Sequence, residues 1–171
     1  MKLVICEKPS VAKAVASALG VTSRTDGCFE GNGLIVSWCV GHLVSPMDAA
    51  GYDPAYKKWK YDDLPILPEP FRYVLAKGKE DAFQNLKRLM ERPDVTELVN
   101  ACDAGREGEL IFRLVYEMAG CRKPFSRLWI SSMEDAAIRE GFADLRPGAE
   151  YDPLYQSALC RQKADWLIGI N

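Results

Sequence analysis

TELVNACDAGREGELIF, Thr96–Phe112, decides how the chain is read. Its first seven residues form a short apolar run of the kind that makes a buried strand. The run breaks on Asp103. Ala104 and Gly105 follow, then Arg106, and then acids alternate with glycine at Glu107 and Glu109 before an apolar helical pattern begins. The spacing predicts a strand over 96–102 and a helix from about Glu107 to Gly120. A carboxylate therefore stands at the end of the strand, with two more within six residues.

The same grammar recurs on both sides. KLVIC, at 2–6, reads as a strand and ends on Glu7. A helix then starts at Pro9 and Ser10 and stops at Gly20. CFEGNGLIVSWCV, at 28–40, reads as a hairpin turning at Gly31-Asn32-Gly33. Between Gly41 and Pro70 there are five prolines, little periodicity and an aromatic-basic cluster, YKKWKY, which together predict a long ordered loop. Strands follow at FRYVLA and SRLWIS, and helices at KEDAFQNLKRLME and MEDAAIREGFADL. RPGAEYDP punctuates as a linker before a last helix, LYQSALCRQKADWLIGIN. Strands alternating with helices imply crossover units, and hence an α/β fold with a mostly parallel sheet flanked by helices.

Composition narrows the function classes. The chain has 171 residues, 48% hydrophobic and 27% charged, as expected of a globular protein. No run of about 18 apolar residues offers a membrane span. The N-terminus lacks a signal-peptide core, which places the six cysteines in a reducing compartment as thiols. No two of them form a Cys-x-x-Cys pair, and a single histidine, His42, cannot build a His-rich metal site. A net charge of −2 argues against a broadly basic coat for nucleic acid, though not against a local basic groove.

In parallel sheets, functional groups collect at the carboxyl ends of strands. If the two acid-tipped strands are neighbours, Glu7 and Asp103 face one another, and Glu107 points back from one turn on. Three carboxylates on one spot repel and raise each other's pKa unless a hard cation sits among them. Oxygen ligands without His or Cys suit Mg2+. Gly105 and Gly108 would let the backbone turn sharply and leave room for a phosphate, with Arg106 as a bidentate donor to it. The competing readings are plain. Acids favour a helix's first turn through its dipole, and Arg161 and Asp165 are a helix salt bridge in the first instance. His42 alone reads as a hydrogen-bonded structural residue.

LVICEKPSVAKAVA and NACDAGREGELIF together resemble the Toprim domain, in particular that of type IA DNA topoisomerases of the topoisomerase III kind. GHLVSP, YDPAYKKWKYDDLPILPEPF, RLWISSMEDAAI and CRQKADWLIGIN continue the resemblance across the whole chain. It implies a Rossmann-like, four-stranded parallel sheet flanked by helices, here with an added hairpin and long loop. Residues 1–147 would be the Toprim domain, and 148–171 a linker and the first helix of the next topoisomerase domain, cut short. Glu7 would be the general acid for the leaving 3′ oxygen, and Lys8 would hold the scissile phosphate. Glu7, Asp103 and Glu107 would bind Mg2+. Arg106, Arg161 and Asp165 would contact or line the path of DNA, preferentially single-stranded; Lys60 in the loop and Arg127 near the presumed cleft are local basic groups that would add to that contact. A cytoplasmic, nucleoid-associated protein is implied, with no membrane partner and with a helicase partner left open.

Two departures qualify the resemblance. The usual Asp-x-Asp of the family has Gly105 at its second position, so water or Glu107 and Glu109 would have to compensate around a single metal. None of the seven tyrosines lies in a Tyr-Pro-Arg setting, so the chain lacks the family's nucleophile and is expected to be inactive alone. Trp59 either stacks on a base or pins the loop to the domain. The alternatives are a Toprim-type nuclease or primase-like enzyme, and a non-catalytic DNA-binding module.

Overall fold

The computed structural model describes all 171 residues. In chain order the elements are β1 (Lys2–Cys6), α1 (Pro9–Ala18), β2 (Ser23–Thr25), β3 (Cys28–Gly31), β4 (Leu34–Trp38), β5 (Val44–Pro46), α2 (Ala49–Tyr52), β6 (Tyr73–Leu75), α3 (Glu80–Met90), β7 (Glu97–Ala101), α4 (Arg106–Met118), β8 (Phe125–Arg127), α5 (Asp135–Ala143), β9 (Arg146–Pro147) and α6 (Asp152–Ile170). Short 3-10 turns occupy Pro54–Lys57, Tyr61–Asp63 and Gly148–Tyr151.

One seven-stranded sheet runs β2-β3-β4-β1-β7-β8-β9. Its middle four strands, β4, β1, β7 and β8, are mutually parallel, as the resemblance implies. The hairpin is therefore not an addition beside that core, because its second strand, β4, is one of the four. Asn32 and Gly33 both take positive φ (51° and 75°), the twist that a two-residue hairpin turn needs. A further strand, β2, pairs antiparallel with β3 around Asp26-Gly27, where Gly27 has φ of 78°.

β1 is hidden on both faces, and its side chains divide between two cores. Leu3 and Ile5 join Leu98, Phe83, Leu86 and Phe112 under α3 and α4. Val4 and Cys6 join Val15, Val36, Val99 and Ile138 under α1 and α5. This alternation makes the molecule a helix–sheet–helix sandwich.

Three expectations change. FRYVLA does form a strand, β6, but it pairs with β5 in a separate two-stranded sheet. SRLWIS is a strand only to Arg127, because its parallel partner β7 is engaged only from Leu98 to Asn100. The long loop carries α2, β5 and two 3-10 turns, and Trp166 of α6 anchors it through edge contacts with Tyr52 and Phe71. Trp59, at 67% exposure, does not pin it. α6 lies on α4, with Ala158 buried in the core beneath. No helix is long and apolar enough to cross a membrane.

Candidate metal and nucleic-acid site

β1 and β7 are adjacent and parallel, with Cys6 opposite Ala101. Glu7 and Asp103 consequently leave the same sheet edge side by side. The two carboxyl groups lie close enough that a hydrogen bond from Glu7 to Asp103 helps to keep the Glu7 proton in place. Burial is the largest influence pushing the Glu7 carboxyl up to about 7; the Asp103 hydrogen bond and the charges of Asp103 and Glu107 add to it, and Lys8 opposes it.

These acids open into a cleft of about 660 Å3. Arg106, the first residue of α4, lines it beside Glu107. Arg161 and Asp165 line the opposite wall from α6, with Arg161 Nε 3.9 Å from the Asp165 carboxylate. The helix salt bridge and the groove-lining position thus coexist. Lys8 stands exposed just outside, on a second concavity shared with Glu7 and Glu107.

Glu107 does not complete a ligand cage. Its carboxylate faces the His42 imidazole, brought in by the segment after β4. No three carboxylate, imidazole or thiolate groups stand close enough to enclose a metal by themselves. Two neighbouring carboxylates with a third within one turn nevertheless match a small hard cation that keeps most of its water. Acids held together at a strand end, with no ion-pair partner on the Glu7 or Asp103 carboxyl, are the chemical signature of such a site.

The two glycines of the turn differ. A Cβ on Gly108 would lie 1.9 Å from the Asp103 carbonyl oxygen, so the close seating of the acid turn on α4 requires glycine there. Gly105 has φ of 163°, extended backbone open to any residue, and a Cβ there would meet nothing within 4 Å. Gly105 therefore makes no sharp turn, and a side chain would fit.

Two expected contacts are corrected. Arg127 is fully buried, so it cannot touch DNA; its guanidinium is turned inward onto Glu109 and onto main-chain carbonyls of the acid turn. Glu109 is equally buried and ion-paired, which removes it as a substitute metal ligand. Lys60 is exposed in the loop and does not line the cleft. Sequence reasoning misses His42 and Gln162 as site residues, yet His42 contacts Glu107 and Gln162 lines the cleft. The Gln162 signal is its place one residue from Arg161; the His42 contact spans 65 positions and leaves no local trace.

The model of the Toprim domain matches residues 2–133. The chain is 47% identical over 169 residues to DNA topoisomerase 3 of Bacillus subtilis (strain 168), covering 99% of this chain and 23% of that protein. It is 46% identical over 170 residues to DNA topoisomerase 3 of Shouchella clausii, with the same coverage. Full-length topoisomerase I from Thermotoga maritima shares the fold, with a TM-score of 0.55 at 24% identity, over 85% of this chain and 21% of that one. The chain thus spans about a quarter of the length of the curated relatives it matches.

Proposed function

This chain belongs to the Toprim domain family, and from that premise we propose that it supplies the acid-bearing, metal-binding half of the active site of a type IA DNA topoisomerase of the topoisomerase 3 kind. The observation that carries the reading is the convergence of Glu7 and Asp103 at one sheet edge, facing the cleft that Arg106 and Arg161 also line.

In the proposed reaction a tyrosine from another part of the whole protein attacks a DNA phosphodiester, and its phenolic proton passes to water as the new P–O bond forms. The P–O3′ bond breaks, and Glu7, whose carboxyl holds its proton up to about pH 7, gives that proton to the departing 3′ oxygen. In resealing, the 3′ hydroxyl attacks the phosphorus and returns the proton to Glu7 as the P–O bond to tyrosine breaks and the leaving tyrosine takes a proton from water. Lys8 and Arg106 hold and orient the phosphate by charge and hydrogen bonds. The proposed ion is Mg2+, which Glu7, Asp103 and Glu107 would hold and which would supply neutralisation of the phosphate charge. Residues 148–171 are proposed to begin the following topoisomerase domain, with Arg161 and Asp165 lining a single-strand path. A cytoplasmic location at the nucleoid belongs to the same proposal.

The test uses the native gene product. Its reading frame should continue past Asn171 into a Tyr-Pro-Arg segment, and the purified protein should cleave and reseal single-stranded DNA with Mg2+. Glu7→Gln and Asp103→Asn should each lower that activity by at least about a hundredfold, the usual reach of general acid-base catalysis. Strand nicking by residues 1–171 alone, abolished by Glu7→Gln, would instead make the chain a nuclease in its own right.

A further inference from the structure

Below the cleft runs a buried chain of charge that the proposed reaction does not use. Arg127, at the end of β8, donates through Nη1 to the Cys102 carbonyl at 2.5 Å and through Nη2 to the Asp103 carbonyl at 2.6 Å. Its Nε lies 2.7 Å from Glu109 Oε1, an ion pair in which both side chains are fully buried. Asn100, on β7, donates to the same Glu109 oxygen at 3.0 Å. The other Glu109 oxygen accepts from Arg113 Nε at 3.1 Å. Arg113 then reaches outward, donating to the Gly148 carbonyl at 2.9 Å and to Asp152 Oδ1 at 2.7 Å, at the start of α6. Its guanidinium also covers the rings of Phe125 and Tyr155.

Buried charges are retained at a desolvation cost, and apolar residues of the same volume would stabilise the core as well or better. What they could not do is hold main-chain carbonyls in a fixed direction. The planar guanidinium fork of Arg127 does this for Cys102 and Asp103 together, a task a lysine ammonium cannot span. Gly108 of α4 lies so close to the same Asp103 carbonyl that a Cβ there would clash with it. The Asp103 main chain is thereby clamped between β8 and α4, while Arg113 ties the same frame to the helix that carries Arg161 and Asp165.

We propose that Arg127, Glu109 and Arg113 are positioning residues, a buried relay that sets the two walls of the cleft, the acid turn and α6, in one fixed register. For what the cleft does, this rests on the function proposed above; for the positioning itself it does not.

Arg127→Lys and Arg113→Lys separate the two arms. Arg127→Lys keeps a charge for Glu109 and loses the fork. Amide exchange at Ala104–Glu107 should then quicken about tenfold or more, and Mg2+ measured by titration calorimetry should bind about tenfold more weakly, the usual reach of residues that orient a ligand. Exchange in β1 and β7 should stay as in the wild type. Arg113→Lys should leave the acid turn and Mg2+ affinity unchanged, quicken exchange over 148–156 and weaken binding of a single-stranded oligonucleotide. A purely structural role would lower protection everywhere at once. A folded Arg127→Lys with unchanged turn exchange would overturn the proposal, as would failure of both this variant and Glu109→Asp to fold. Wild-type protein that binds no Mg2+ but shows the split in exchange would sink the metal reading and leave the positioning intact.

Discussion

Glu107 and Glu109 are two positions apart on the same helix, and they live in opposite worlds. The Glu107 side chain is 70% exposed at the cleft and touches one imidazole. That of Glu109 is 0% exposed and answers two guanidinium groups and an amide. Two positions along an α-helix turn a side chain through about 200°, so one acid joins Glu7 and Asp103 at the sheet edge and the other enters the core. In the cleft the Glu7 and Asp103 carboxyl groups are gathered without an ion-pair partner. In the core every carboxylate oxygen is met. Function sits where the charges are left unbalanced, and rigidity where they are matched.

The sharpest way to break this contrast is to delete each acid. Glu109→Ala leaves two buried guanidinium groups without their anion and should cost about 3–5 kcal/mol in urea denaturation. Glu107→Ala, at the surface, should stay within about 0.5 kcal/mol while weakening Mg2+ binding. Equal losses of stability would erase the distinction.

Next in size is the pH response of Glu7. Its carboxyl is pushed up to about 7 from 4.5, so between those values the folded state keeps a proton that the unfolded state has released. Stability of the metal-free protein is then full below about pH 4.5 and falls as pH rises to about 7. Glu7→Gln should flatten that slope and raise the melting temperature at neutral pH. Saturating Mg2+ should offset the same loss in the wild type. A slope that survives Glu7→Gln would place the titration elsewhere.

Gly105 tests whether the cleft lacks a ligand. The extended backbone and the open space around it admit a side chain without strain. Gly105→Asp should therefore tighten Mg2+ binding about tenfold, or about 1.4 kcal/mol. No gain would mean that position 105 faces away from the ion.

Local pattern carries much of this molecule. β1, α1, β7 and α4 each announce themselves within a dozen residues, and Asn32-Gly33 marks its hairpin. The acid pair is legible because two strands end alike, and neighbouring pairing makes them meet. β2 goes unread, because its three residues, Ser23–Thr25, are all exposed and show no apolar alternation. Arg127 is illegible for a different reason. An arginine beside hydrophobic residues in a strand looks like a surface contact, and only Glu109, 18 positions away on another element, decides that it is buried. The pair Glu109 and Arg113, four apart on α4, is the available hint. The partner of His42 has no sequence signal at all, since it depends on where the segment after β4 crosses α4.

The smallest effects belong to the loop that neither side of the contrast contains. Trp59 is 67% exposed and Lys60 is exposed beside it, while Trp166 holds the loop in place. Trp59→Ala should therefore leave the fold and the melting temperature unchanged. If the loop meets single-stranded DNA, the substitution removes a stacking platform and weakens oligonucleotide binding by about 1 kcal/mol with the salt slope preserved. Lys60→Ala should do the reverse, lowering the salt slope by a little under one unit for the phosphate that the lysine no longer neutralises. A stacking base does not release counterions and a lysine does, so the two readouts separate the aromatic from the charge. If neither variant moves the binding curve, DNA is held at the cleft walls alone, by Arg106 and Arg161.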